Sequence, residues 1–313
     1  MKKILFALII VFIFFSAGKA QDSLSASIMP HWEQGDAFSF NIKKIKEKED
    51  NGLKQSDSAV FVGTITVLEL LDDKIRNSYK TNHSLISHFG LGNDYFKNAD
   101  LAKEIEVIYT TDGAGQFQQI ENWAAVQNEL TLSFNVLLQN FKKSGTSSAE
   151  NLVSFEKILT FMKSRNFVEQ NIFSELQLIH YLMGTELKNQ QEIMFEEETA
   201  NPLGGDPLRS EAKIKVKAIK PESSEIIISQ QKTLNRNDVS KFMATFSKKM
   251  NLNNHDFAEF LKKSTYEISD QTDFTVNYKI GIPNRINYRR KSRIVLDGKN
   301  ALRNDEILID RIK

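Results

Sequence analysis

The sequence predicts an α+β protein: one large antiparallel sheet with helical insertions packed against one face. Three observations lead there. Runs of alternating apolar and polar residues dominate both ends of the chain. Almost all links between successive runs are too short for parallel crossovers, which need about a dozen residues or more. Between these runs, from Asn122 to Met183, the apolar spacing changes from two to three and four, the stripe of amphipathic helices.

The first strand is marked by Phe38, Phe40 and Ile42, which alternate with Ser39, Asn41 and Lys43. After the Asp50-Asn51-Gly52 turn, residues 59–71 carry apolar side chains on both faces, as a central strand does. Asp72-Asp73 turns into a third strand reaching about Ser84. Residues 104–120 read as a hairpin around Asp112-Gly113-Ala114-Gly115.

Three helices follow. The first, 122–143, carries Trp123, Val126, Leu130, Phe134, Leu137 and Phe141; the second starts at Ser147-Ser148-Ala149-Glu150, the spacing of a capping box. The third, about 167–183, is apolar on most sides, so it is expected to be buried or to face an apolar guest. Residues 186–195 read as a strand and 196–211 as a polar loop, with Glu196, Glu197 and Glu198 on its solvated edge. Strands at 213–218 and 226–228 precede helices at about 236–250 and 255–263, and strands at 274–280, 284–296 and 303–312 complete the chain, the last after Asp297-Gly298.

The N-terminus has Lys2 and Lys3, an apolar run from Ile4 to Phe15, and small residues Gly18 and Ala20 before Gln21. That is the form of a secretory signal peptide, and the run is short of the roughly 20 apolar residues that span a bilayer. Export is therefore expected, to the periplasm first and to the medium as the alternative. No later stretch reads as a transmembrane segment. With no cysteine in the chain, neither a disulfide nor a lipid-modified cysteine is available. Loss of Lys2, Lys3 and Lys19 with the leader leaves 38 basic against 40 acidic residues. A chain so close to neutral lacks the basic excess that nucleic-acid binding requires. Residues 21–313 read as a single domain, because the helices of 122–183 would otherwise have no sheet to cover.

Linear motifs imply no cofactor, metal site or catalytic group. The five histidines, His31, His83, His88, His180 and His255, include no HExxH pair, and no G-x-S-x-G occurs. The glycines of Asp112–Gly115 and Asn201–Pro207 belong to turns, since neither motif is followed by Lys-Ser or Lys-Thr. Two groups stand out. Trp123, Leu130, Phe134, Phe141, Phe155, Phe173 and Tyr181 are candidates for lining an apolar ligand under a helical lid, and would equally serve as core between helices and sheet. Arg289, Lys291 and Arg293 share one face of a late strand, with Arg290 opposite, and are candidates for contact with an anion or a lipid headgroup.

The order of exported leader, antiparallel strands, helical insert and terminal meander resembles the periplasmic lipoprotein-carrier fold of the LolA and LppX type, over most of residues 32–312. The resemblance implies a strongly curved, half-barrel-like sheet closed by helices over an apolar cavity. Trp32-x-x-Gly35-Asp36 and the loop Asn201–Pro207 are also similar to uncharacterised exported proteins of the Bacteroidota. Two functions are expected from this reading: a carrier for a lipid-like apolar molecule, or a non-enzymatic envelope protein with a solid core and a working outer surface. Cleavage after Ala20 is expected on export, so N-terminal sequencing of the exported protein should begin at Gln21; an intact Met1 on exported material would refute the leader.

Overall fold

The computed structural model describes residues 24–50, 52–82, 104–143, 149–199, 201–250, 263–296 and 299–313. The leader, His83, His88, His255, Ser147-Ser148, Asp297-Gly298 and all but the end of the helix expected over 255–263 lie outside the described residues. The N-terminal strands are β1 (Ser25–Ile28), β2 (Ala37–Asp50), β3 (Leu53–Leu70), β4 (Lys74–Thr81), β5 (Ile105–Asp112) and β6 (Phe117–Ile120). The helical insert holds α1 (Trp123–Lys143), α2 (Ala149–Met162), α3 (Arg165–Phe167), a π-helical turn (Val168–Ile172) and α4 (Ser174–His180). Then come β7 (Thr185–Lys188), β8 (Glu192–Thr199), β9 (Leu208–Lys220), β10 (Glu225–Leu234), α5 (Arg236–Lys249), β11 (Thr265–Asn277), β12 (Ile282–Leu296) and β13 (Lys299–Arg311). Among the described residues no helix is long and apolar enough to cross a membrane.

Eleven strands form one curved antiparallel sheet in the order β6-β5-β4-β3-β2-β13-β12-β11-β10-β9-β8, with β6 and β8 as its edge strands. Every neighbouring pair is consecutive in the chain except β2 with β13, whose pairing joins the N-terminal meander to the C-terminal one through Ile42 opposite Ile309. The insert leaves from β6, one edge, and returns at β8, the other. A chain anchored at both edges has to cross the sheet, so its helices lie over one face. β1 pairs with β7 in a separate two-stranded sheet beside it.

That inner face is apolar along a cross-strand row running Val216, Ile228, Phe274, Ile286, Ile309, Ile42 and Phe61. These side chains and Val126, Leu130, Phe134, Ile172, Phe173, Leu176 and Ile179 of the insert belong to one cluster of buried residues. Burying such side chains contributes roughly 1.5–3 kcal/mol each. The second insertion joins the first on this face: Phe246 of α5 meets Phe161 of α2 edge-on, with ring centroids 5.6 Å apart. The β6 edge is closed by the insert, where Glu169 accepts the Ile120 N–H at 3.0 Å and Arg165 donates to the Ile120 carbonyl.

Four sequence expectations are corrected. The helix expected over 167–183 is broken into α3, the π-helical turn and α4, with Phe173 outside helical geometry at ψ 38°. The strand expected over 186–195 is two strands, separated by a turn in which Gln190 takes φ 60°. Glu196, Glu197 and Glu198 lie in strand β8 rather than on a loop; Glu197 turns inward to Lys232, at 3.0 Å, which a hydropathy pattern does not register. β11 begins at Thr265, well before Phe274, because its inward side chains include the polar Asp270 and Thr272 and break the apolar alternation.

α4 is fastened to the sheet by buried charge. Glu175 has no solvent exposure; its Oε2 lies 2.7 Å from Lys44 Nζ on β2, and its Oε1 accepts the Tyr79 hydroxyl at 2.9 Å. Lys44 also donates to the Ile172 carbonyl at 3.0 Å, at the end of the π-helical turn. Tyr79 reaches Glu175 by lying across Gly63 on the adjacent β3, where a Cβ would fall 2.6 Å from its ring. Burial, reinforced by the Glu175 charge, pushes the Tyr79 hydroxyl well above the usual phenol range, so it stays a donor. Glu175→Ala would strand the Lys44 ammonium in the core and is expected to destabilise the protein by about 3–5 kcal/mol in urea unfolding, whereas the paired change Lys44→Met with Glu175→Leu should recover most of that loss.

Candidate functional site

The residues proposed to line an apolar ligand divide into three settings. Leu130, Phe134 and Phe173 are in the core, each no more than 2% exposed, and Phe173 meets Tyr79 edge-on at 6.4 Å. Phe141 and Phe155 stack on each other at 4.4 Å and join α1 to α2; half-buried Trp123 packs against the core where α1 leaves β6. Tyr181 stacks on Phe274 at 6.1 Å, while its hydroxyl meets Glu197 and accepts from the Gln230 amide. The structure brings Leu130, Phe134 and Phe173 into the common core, with Trp123, Phe155 and Tyr181 packed against it.

His180, at the end of α4, is fully buried between aromatic rings of Trp32 and Tyr109. The Gly115 carbonyl, 2.8 Å from Nδ1, can only accept, so Nδ1 carries the hydrogen and Nε2 accepts from the Tyr109 hydroxyl at 2.9 Å. Burial holds its pKa down at about 4 against the Gly115 hydrogen bond, and the ring is neutral. The turn Asp112–Gly115 thus has a positioning role: Asp112 accepts the Ala114 and Gln116 N–H groups, and Gly115, at φ 90°, offers its carbonyl to the insert.

Beyond Lys44 the inner face turns from apolar to charged. The register places Lys232, Asp270, Arg290, Asp305, Lys46 and Asp57 in one row across six strands, alternating in sign throughout. Arg290 holds Asp270 bidentately at 2.7 and 2.8 Å, and Lys232 pairs with Glu197. Burial and then the nearby Arg303 guanidinium pull Lys46 down to about 8. Sequence reading missed this row because its members are distant in the chain and meet only through strand pairing. Among the described residues no three His, Asp or Glu side chains converge as metal ligands.

Arg289 and Lys291 project from the opposite, outer face, with Arg290 inward as its alternation requires. They stand in the middle of a groove of about 480 Å³ crossing β2, β13, β12, β11 and β10. One row reads Ile45, Glu306, Arg289, Gln271, Gln231 and the next Glu47, Asn304, Lys291, Ser269, Thr233. Arg289 lies 3.6 Å from Asp273, and Arg293, one step beyond Lys291 on the same face of β12, lies 3.9 Å from Glu267. Lys291 is exposed, and among the described residues no carboxylate is paired with it; its cross-strand neighbours are the neutral Ser269 and Asn304. Arg289 and Lys291 line the groove, whereas Arg293 is outside it.

The molecule is thus an open antiparallel sheet with its insert packed on the inner face and a polar groove on the outer face. No family model and no curated protein matches the chain. Among solved structures, a high-pH structure of Pseudomonas putida OprB aligns with 84% of this chain and 50% of its own, at 9% identity and a TM-score of 0.18. The chain thus spans half the length of that protein, and a likeness at this score carries neither fold nor function across.

A buried neutral histidine makes stability depend on pH. The unfolded His180 takes up a proton near its ordinary pKa of about 6.5, whereas the folded ring resists until about 4. Stability is therefore complete above the higher value and falls as pH drops through this window. Thermal unfolding should show a decline between pH 6.5 and 5 that His180→Gln flattens; equal slopes in both proteins would exclude His180 as its source.

Proposed function

We propose that this is an exported, non-enzymatic interaction protein of the cell envelope that works through its outer surface over a packed interior. One observation carries the reading: the insert side chains best suited to hold an apolar guest, Leu130, Phe134 and Phe173, are already spent on the core. The helix beside them is pinned by the Lys44–Glu175 ion pair, and a packed interior leaves no room for a guest without moving those elements. The form of the leader supports export, with the periplasm as the working compartment. The competing reading, an acyl chain held between sheet and helices, draws on the resemblance to lipoprotein carriers and on the aromatic richness of the insert.

Native mass spectrometry separates the two. Protein beginning at Gln21, incubated with palmitate and with phosphatidylethanolamine, is expected to keep its apo mass. A discrete adduct of one lipid, lost on solvent extraction, would overturn the surface reading and establish the carrier.

A further inference from the structure

We propose that the outer-face groove centred on Lys291 binds an acidic oligosaccharide. The inference rests on the surface reading above and assigns that surface a ligand class. The groove crosses five strands, a reach of about 19 Å at the usual strand spacing, which suits an extended oligomer better than a single small ion.

Its lining selects among ligands. Apart from Ile45, the outward side chains are charged, carboxamide or hydroxyl groups, which gives a lipid chain little to pack against. Gln231, Gln271, Asn304, Ser269 and Thr233 each donate and accept hydrogen bonds, the capacity that matches sugar hydroxyls. An extended peptide would ordinarily add to a strand edge through its main chain. The groove instead lies on a sheet face, where the backbone is committed to the ladder on both sides. With Glu47 in the lining and Glu306 opposite Arg289, the groove offers only Arg289 and Lys291 as outward cations, too few for a nucleic-acid backbone, whose binding rests on dense cationic contact.

The requirement for an acidic sugar comes from the centre. On the outer face of β9, Lys213 and Lys217 are neutralised by Glu192 at 2.6 Å and Asp273 at 2.7 Å, and Lys215 reaches Glu192 at 3.9 Å. Lys291 has no such partner among the described residues, with hydroxyl and carboxamide neighbours on either side and Arg289 two positions away on the same face. A carboxylate or sulfate laid there would meet Lys291 directly, with Arg289 held nearby by Asp273 and the hydroxyl and carboxamide neighbours left to bind sugar hydroxyls.

Calorimetric titration of the mature protein with galacturonate hexamer, heparin hexasaccharide, maltohexaose and hexaglutamate tests this. At least one acidic saccharide should bind tenfold or more tighter than both maltohexaose and hexaglutamate. Raising NaCl from 50 to 300 mM should weaken it several-fold, as an exposed charge contact requires. Lys291→Glu should reduce that affinity at least tenfold while leaving the melting temperature unchanged, and Lys213→Ala should leave it intact. Failure of both acidic saccharides to bind, equal binding of hexaglutamate, or indifference to Lys291→Glu would overturn the proposal. None of these results produces a lipid adduct, so failure here stays distinct from failure of the surface reading.

Discussion

The structure depends on one connection: a helical insert whose ends are fixed to opposite edges of an eleven-stranded sheet. That constraint alone puts the helices across one face. The buried Lys44–Glu175 pair, completed by Tyr79, sets the depth and register at which they lie. A buried ion pair with a third hydrogen-bond partner contributes little net stability over an apolar substitute, but it penalises any arrangement that separates its members. Here the members come from β2, β4 and α4, so the pair specifies how the N-terminal meander meets the insert. The Gly63 site serves the same end, since only a missing side chain lets Tyr79 lie across β3.

The two faces of the sheet handle charge differently. Inward, alternating signs continue from strand to strand, and Arg290 and Asp270 satisfy each other bidentately where water is scarce. Outward, ion pairs are more exposed, and pairs of that kind contribute little to stability. The outer cations lie closer to solvent than the inner ones. Arg289 and Arg290 are adjacent in sequence but project from opposite faces of the sheet, as the pleat requires.

Much of the fold was legible from periodicity. The meander of β2 to β4, the hairpin of β5 and β6, the helices α1, α2 and α5 and the late strands follow from apolar alternation or from a 3.6-residue stripe. The reading failed where inward side chains are polar, as at Asp270, Thr272 and Glu197, because a charge satisfied across a strand pair looks like a solvated charge in one dimension. It also failed at Phe173, where an apolar run conceals a break in the helix. Of the candidate sites, the shared face of Arg289 and Lys291 was readable from a period of two. The Ser269, Asn304 and Thr233 that complete their surroundings were not.

By itself, the sequence determined an α+β fold class with an antiparallel sheet, the place of the helical insert and the near-neutral charge of the chain, because each is written in local spacing and composition. The tertiary structure decided the rest: that β13 closes onto β2, that Glu175 finds Lys44, and that a groove forms around Lys291. Those contacts join residues far apart in the chain, and only the pairing of strands and the packing of the insert on the sheet bring them together.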